Sequence, residues 1–258
     1  MGMTIATINQ KGGAGKTTTA IELSYDLAEF ERKVLLIDID SQVGLTYYVP
    51  VDPSMPTIYD VLHANKKIDD AIQHLDRIDV ITASEELSKA DKEFVDYDDI
   101  FLLKDIVDVV RDRYDYIIID TGPHRNILLN MTYVASDYII VPIAPDKGNI
   151  EGINKVYKDI EQLRGGKRPI SSVEIAALLL TQHRGGHVND QVKLEAVQTL
   201  ASEMKEKPMV AYIRGFTGVN TCKDFQQPIK DFDKNSNAAI DYRNFTWDLM
   251  QRLEGKDE

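Results

Sequence analysis

Cysteine is nearly absent from this chain, since Cys222 is the single one among 258 residues. One cysteine cannot form an intrachain disulfide, and it supplies too few thiolates for an iron–sulfur cluster or a thiolate-bound metal within one chain. This scarcity fits a reducing compartment, and we expect a cytoplasmic protein.

Long hydrophobic runs are missing as well. The segment Met1–Thr4 lacks a basic region followed by a long apolar stretch, and the polar residues 9–11 end the first apolar segment. The sequence therefore predicts neither a signal peptide nor a membrane-spanning helix, and we expect no stable membrane insertion. Internal repeats and low-complexity tracts are also missing, so we expect residues 1–258 to form a single domain.

The chain also lacks an excess of positive charge. Its 42 acidic and 30 basic side chains give a formal net charge of −12 at pH 7. Binding to nucleic acid phosphates depends on clustered lysine and arginine, so this balance argues against a protein that covers nucleic acid with its whole surface. Any contact with DNA must use a local basic patch.

Short apolar segments alternate with longer segments that carry apolar residues at helical spacing. Val34–Ile37 and Ile117–Ile119 are apolar at every position, as expected for parallel strands covered by helices on both faces. The pattern predicts a three-layer, doubly wound α/β fold with a mostly parallel sheet, and short helices outside the sheet over Val51–Lys92. The predicted strands are Thr4–Ile8, Val34–Ile39, Ile78–Ile81, Tyr116–Asp120, Tyr138–Ile143, Ile175–Leu180 and Met209–Ile213. The predicted helices are Thr17–Phe30, Ile100–Arg113, Ile150–Leu163, Val188–Lys205 and Ala238–Leu253.

A glycine-rich segment follows the first predicted strand and precedes the first predicted helix. Glycines let consecutive backbone N–H groups point at phosphate oxygens, and the amino-terminal end of the next helix adds a favourable dipole. In this arrangement Lys16 reaches the β- and γ-phosphates, and the Thr17 hydroxyl binds Mg²⁺. The predicted phosphate-binding residues are Lys11, Gly12, Gly13, Ala14, Gly15, Lys16, Thr17 and Thr18.

Gln10 stands where the strict P-loop pattern requires a glycine, six residues before Lys16. The remaining pattern, with a second lysine at position 11, resembles the deviant Walker A motif of the ParA, MinD and nitrogenase iron protein superfamily of P-loop NTPases. The resemblance implies that Lys11 crosses a dimer interface to the phosphates of the partner. The alternative is a glycine-rich turn with two solvated lysines, and the strand–loop–helix context argues against it.

Two predicted strands end in carboxylates. Asp38 and Asp40 follow Val34–Ile37, and Asp120 follows Ile117–Ile119. Ligands of open α/β sheets lie beyond the carboxyl ends of the strands, so these acids can face the phosphates. The two segments resemble the Walker A′ and Walker B elements of the superfamily. By resemblance, Asp40 positions the attacking water, Asp40 and Asp120 support Mg²⁺ through water, and Asp38 orients its neighbours.

The chain resembles the ParA/Soj partition ATPases most strongly before residue 180. The resemblance implies ATP and Mg²⁺ as cofactors, with Lys11, Lys16 and Asp40 as catalytic residues. It implies an ATP-bound homodimer that binds DNA non-specifically at the nucleoid, and slow hydrolysis stimulated by a ParB-like centromere-binding partner. Because the loop lies so near the first residue, we expect no amino-terminal helix-turn-helix domain. The matching segments are Asn9-Gln10, residues 56–62 and residues 81–84, with a looser match at residues 225–229.

Several positions beside the predicted γ-phosphate site depart from the family pattern. Ser41 and Val43-Gly44 replace the usual residues around Gln42, and Gly122 replaces a proline after Asp120. His124 replaces a serine, and it is either a sensor of phosphate or partner or an ordinary loop histidine. The effect of these changes on switching stays open.

The residues that contact DNA and the nucleotide base are less well marked. By resemblance, the base pocket lies near Thr181-Gln182 and the turn after Ile213. Aspartates are interspersed among the basic residues of the carboxyl-terminal part, so an ordinary mixture of solvated charges is the alternative to a DNA site. The candidate DNA contacts are Arg184, Arg214, Lys223, Lys230 and Lys234.

Other members of the superfamily provide two alternative functions. A cargo-positioning ATPase that acts on a protein assembly would share every site residue and differ only in its partner. A MinD-like membrane-cycling ATPase is less consistent with the acidic end of the chain at residues 254–258, which suits anionic lipid poorly. A metabolic ATP-dependent enzyme is a more distant possibility, because no substrate pocket is evident.

Overall fold

The computed structural model describes residues 2–145, 149–165, 169–184 and 188–255, so the end of the acidic tail, residues 256–258, lies outside the described residues. The strands are β1 (Met3–Thr7), β2 (Val34–Asp38), β3 (Gln73–His74), β4 (Asp79–Ile81), β5 (Tyr116–Asp120), β6 (Tyr138–Ile143), β7 (Glu174–His183) and β8 (Met209–Arg214). The α-helices are α1 (Lys16–Glu29), α2 (Ile58–Leu62), α3 (Ile68–Ala71), α4 (Ala90–Glu93), α5 (Leu102–Val110), α6 (Ile127–Ala135), α7 (Asn149–Arg164), α8 (Val188–Glu203), α9 (Val219–Asp224), α10 (Ile229–Phe232) and α11 (Asn237–Glu254). Short 3₁₀ helices cover Gly44–Tyr47, Glu85–Lys89, Tyr97–Phe101 and Arg111–Arg113.

The strands of the described residues form one sheet in the order β3-β4-β2-β5-β1-β6-β7-β8. Every neighbouring pair is parallel except β3 and β4, which are antiparallel. Strand β1 is central, with β5 on one side and β6 on the other. The strand order therefore confirms the predicted doubly wound, mostly parallel sheet.

Alternate residues of the central strands point to opposite faces of the sheet, where two separate apolar cores form. Ile5 belongs to the core that includes residues of α1 and α11, and Ala6 belongs to the core that includes residues of α5, α6 and α7. Both faces of the sheet are thus covered by helices, which explains why the strands are apolar at every position. This arrangement is the predicted three-layer architecture.

All seven predicted strands and five predicted helices are present, with shifts at their ends and with 3₁₀ turns on either side of α5. Four strands and α-helices were not predicted: the two-residue strand β3 and the helices α6, α9 and α10. Residues 51–92 hold the predicted short helices, although β3 and β4 of this segment join the sheet. Among the described residues, no helix combines the length and the apolar character needed to cross a bilayer.

Candidate nucleotide site

The carboxyl ends of the three central strands align in one row. Thr7 of β1 pairs with Asp120 of β5, and Asp120 pairs with Asp38 of β2. The glycine-rich loop leaves β1 directly after this row and leads into α1, which begins at Lys16. The fold therefore brings the predicted phosphate loop and the predicted carboxylates to the same edge of the sheet.

The loop backbone has the curvature that glycine permits. Gly13 and Gly15 adopt φ values of 73° and 91°, a left-handed region that residues with a Cβ rarely adopt. Ala14 is fully buried, and its carbonyl accepts a hydrogen bond of 3.0 Å from the Thr181 hydroxyl at the end of β7. Since a Cβ on Gly15 would lie 3.1 Å from the Thr181 side chain, this threonine packs directly against the loop.

Both loop lysines take part in the loop structure. Lys16 is 7% exposed, and its ammonium donates to the Lys11 carbonyl at 3.3 Å. Burial lowers the pKa of Lys16, and the nearby charges of Asp120 and Asp40 act in the opposite direction. The Lys11 amide donates to the Asn9 side-chain oxygen at 3.1 Å. Lys16 is thus a buried cation beside the strand-end acids.

The acids at the end of β2 have different surroundings. Asp38 is fully buried, and its two carboxylate oxygens accept backbone N–H bonds from Asp40 at 2.9 Å and from Leu45 at 3.4 Å. Burial, followed by the charge of Asp120, raises the pKa of Asp38 well above its ordinary value. Asp40 is half-buried, and its Oδ1 accepts the Gln42 N–H at 3.0 Å. Of the two, Asp40 is the acid that solvent can reach.

Asp120 has the surroundings expected of a residue that supports a cation. Burial raises its pKa to about 6, while hydrogen bonding from Thr17 and Thr7 and the charge of Lys16 lower it. Its Oδ2 atom is buried and makes no hydrogen bond among the described residues. An unpaired buried carboxylate oxygen beside a threonine hydroxyl fits the oxygen-rich shell that Mg²⁺ prefers.

The residues that depart from the family pattern lie around Asp40. Val43 adopts φ 47°, a left-handed conformation that strains a β-branched residue. A Cβ built on Gly122 would lie 2.7 Å from Asp40 Oδ1, so the acid packs closely on this glycine. His124 is exposed on the same loop. Val43 and Gly122 therefore both influence the backbone and the space around Asp40.

A cavity of about 520 Å³ adjoins the phosphate loop at Gly15 and Thr18. Gln182 lies on its wall with φ 55°, and Phe216 lies where the chain turns after β8. The predicted base region, around Thr181, Gln182 and the turn after Ile213, therefore coincides with a real cavity. The cavity also contacts Arg184, Ile213, Arg214, Gly215, Thr217, Val219, Asn220, Ile229, Ala238 and Tyr242.

The candidate DNA contacts differ in whether their charged groups already pair with other side chains. Arg214 donates to both carboxylate oxygens of Asp241 at 2.8 and 2.7 Å. The Lys230 side chain is 9% exposed and pairs with Asp26 and Glu29 on α1. Lys223 lies over the ring of Tyr48 at 4.8 Å. Arg184 and Lys234 are exposed.

Two threonines contact the acids and the loop in a way that was not predicted from the sequence. Thr7 donates to Asp120 at 3.2 Å, and Thr181 holds the loop at Ala14. Both are strand residues with small side chains, a type that occurs in any buried strand. Their roles depend on which strands are neighbours, and only the sheet order reveals this.

Known proteins resemble this chain in sequence and in structure. A family model described as an AAA domain matches residues 2–172. The chromosome partitioning protein ParA of Myxococcus xanthus is 29% identical over 257 residues, covering 98% of this chain and 89% of that protein. A putative plasmid partition protein from Borrelia burgdorferi bound to AMPPNP has a TM-score of 0.80 at 25% identity, covering 98% of this chain and 99% of that one. A variant of Cyanothece McdA in complex with ATP has a TM-score of 0.84 at 20% identity, covering 96% of each chain.

These likenesses extend over nearly the whole chain, and the family model covers the strands that carry the phosphate loop and both acidic strand ends. The site geometry agrees with them, because the glycine loop and the acids meet at one sheet edge. This chain belongs to the ParA/Soj family of P-loop ATPases.

Proposed function

We propose that this chain is an Mg²⁺-dependent ATPase that dimerises when it binds ATP, binds DNA non-specifically at the nucleoid and hydrolyses ATP slowly with stimulation by a ParB-like partner. The observation that carries the proposal is the meeting of the loop lysine Lys16 with Asp40 and Asp120 at one edge of the sheet. Residues 1–258 would act in this cycle as one P-loop ATPase domain.

The loop would bind the phosphates of ATP, and the acids would support its Mg²⁺ ion. The N–H groups of Gly12–Thr18 and the Lys16 ammonium would bind the phosphates. The Thr17 hydroxyl would bind Mg²⁺ directly, and Asp120 and Asp40 would support the ion through water. When bound, Mg²⁺ would offset the negative charge on the transferred phosphoryl group. The AMPPNP carried by the Borrelia burgdorferi protein supports this assignment.

Lys11 would join the two halves of the dimer. It lies at the entrance of the loop, five residues before Lys16, where α1 begins. Facing a second copy, its ammonium would offset charge on the phosphates of the partner. Since this contact needs a triphosphate on the other side, it would make dimerisation depend on ATP.

The cavity beside the loop would hold the nucleotide base. Gly15 and Thr18 join this cavity to the phosphate loop, and the aromatic ring of Phe216 offers a face for stacking. A Cβ on Gly218 would lie 2.6 Å from the Phe216 ring, so this glycine lets the ring lie against the backbone. Gln182 would contact the polar edge of the base.

Phe216→Ala is expected to weaken ATP binding by about 5- to 150-fold, because stacking of a base on an aromatic side chain contributes roughly 1–3 kcal/mol. Inorganic triphosphate lacks the base, so its affinity should not change. Titration calorimetry with both ligands measures the difference. The matched control is Phe225→Ala, which removes an exposed ring outside the cavity wall. Equal losses for ATP and triphosphate would contradict stacking by Phe216.

DNA binding would use the basic residues that have no tight carboxylate partner within the described part of the chain. Arg184, Lys223 and Lys234 meet this condition better than Arg214 and Lys230, whose charges are held by acids. The overall charge of −12 would keep such contacts local and weak. Dimerisation would double their number and so make DNA binding depend on ATP.

An ATP-dependent DNA-binding assay over a salt series tests the proposal. Retention of a non-specific duplex should require ATP and Mg²⁺, and with about four phosphates contacted the affinity should fall by about two orders of magnitude between roughly 50 and 200 mM salt. Lys234→Glu should reduce binding, whereas Lys66→Glu makes the same charge change at another exposed site and should not. ATP-dependent binding to anionic vesicles without DNA binding would instead favour a membrane-cycling ATPase.

A further inference from the structure

Gly122 follows the end of β5 by two residues and lies against the Asp40 side chain. A Cβ at this position would come within 2.7 Å of Asp40 Oδ1 and 3.1 Å of its Cγ. Contacts this short do not occur between real atoms of these types. The backbone of Gly122 is outside the left-handed region, where only Gly13 and Gly15 lie among the described glycines. In this backbone, glycine at position 122 leaves space for the Asp40 carboxylate, and it is not needed for a left-handed conformation.

The Asp40 carboxylate is held in place from two sides. Its Oδ1 accepts the Gln42 N–H at 3.0 Å, and the same oxygen faces the backbone of Gly122. Asp40 lies beyond the end of β2 at Asp38, so strand pairing does not fix the direction of its side chain. These two contacts limit where the carboxylate can point.

The backbone on either side of Gly122 is anchored and cannot easily withdraw. The Thr121 hydroxyl donates to the Thr7 carbonyl at 2.7 Å, and the Asn126 side chain caps α6 by accepting the Leu129 N–H at 3.1 Å. Between the ends of β2 and β5, the Ile39 N–H donates to the Asp120 carbonyl at 3.0 Å. If a side chain is added at position 122, the Asp40 carboxylate must move because it is the flexible partner.

We propose that Gly122 is a positioning residue for ATP hydrolysis: its missing side chain leaves the space in which the Asp40 carboxylate rests, so a side chain added to this chain's backbone at position 122 turns that carboxylate away from the attacking water. This inference rests on the proposed ATPase function. It assigns a role to one of the positions where the chain departs from the family pattern. In this role Gly122 acts through Asp40.

Gly122→Ala tests the inference through two separate readouts. ATP affinity, measured by calorimetry, should stay within about twofold of wild type, while turnover at saturating ATP should fall more than tenfold. In the nucleotide-free protein, the amide NMR signal of Gln42 should shift in Gly122→Ala, because its hydrogen bond to Asp40 Oδ1 is lost. Asp40→Ala should move the same signal.

A double-variant comparison separates positioning from general damage. If Gly122 acts through Asp40, adding Gly122→Ala to Asp40→Ala should lower neither turnover nor melting temperature further. If Gly122→Ala alone folds poorly, the double variant should recover, because the clashing carboxylate is gone. Wild-type turnover in a folded Gly122→Ala protein, or equal damage in both backgrounds, would overturn the inference. Absence of ATPase activity in the wild-type protein would instead refute the proposed function.

Discussion

Replacing Lys16 with alanine is expected to lower the affinity for ATP by about 100-fold or more. A hydrogen bond to a charged group contributes roughly 1.5–3 kcal/mol, and two such contacts to phosphates account for a loss of this size. Lys16 is 7% exposed and its ammonium already donates to a carbonyl of the loop, so it is ordered before ATP binds. Dimerisation and turnover should fall with ATP binding, since both need the bound triphosphate.

Calorimetry with ATP and light scattering after gel filtration measure the two consequences of Lys16→Ala. The control is Lys33→Ala, which removes an exposed lysine just before β2, at the opposite edge of the sheet from the loop. Thermal unfolding checks the fold of both variants. If Lys16→Ala dimerises and hydrolyses ATP like wild type, the proposed nucleotide site is wrong.

The strands were predictable because a fully buried parallel strand is apolar at every position. Tyr116–Asp120 is buried throughout, and the sequence prediction has the same bounds as the strand. Helix α6 was missed for a related reason. Seven of its nine residues are buried, so its apolar residues lack the one-sided spacing that identifies a surface helix. Asn126, which caps this helix, was the available signal.

Strand β3 could not be predicted from its own sequence. Gln73 and His74 form two residue pairs with β4, and neither residue belongs to an apolar run. Its position depends on the turn that reverses the chain before Asp79. Short antiparallel additions of this kind are set by tertiary contacts and not by local propensity.

One part of the candidate site could likewise be predicted from the sequence, and another part could not. The phosphate loop is contiguous in sequence, and its position between β1 and α1 could be predicted from residues 4–30. The contact of Gly122 with Asp40 joins two loops that are 82 residues apart, and it depends on the pairing of β2 with β5. The sequence shows that position 122 departs from the family pattern, but the space that this glycine leaves is visible only in the fold.

Asp40→Ala is expected to lower turnover by about 10²- to 10⁴-fold, the usual contribution of a positioned acid–base group, while ATP affinity changes little. Asp40 is the better candidate of the two acids after β2, because both oxygens of the fully buried Asp38 already accept backbone N–H bonds. Since ATP is bound but not cleaved, the ATP-bound dimer should accumulate and stay on DNA. Single-turnover hydrolysis and calorimetry measure the separation of the two effects.

Asp40→Asn distinguishes the charge of this side chain from its shape. Asparagine can still accept the Gln42 N–H through its carbonyl oxygen, and it fits the space beside Gly122. If Asp40 orients and deprotonates the attacking water, Asp40→Asn should be nearly as slow as Asp40→Ala, because the amide cannot take up a proton. Turnover close to wild type in Asp40→Asn would limit Asp40 to a structural role. Turnover close to wild type in Asp40→Ala as well would remove this residue from the hydrolytic step.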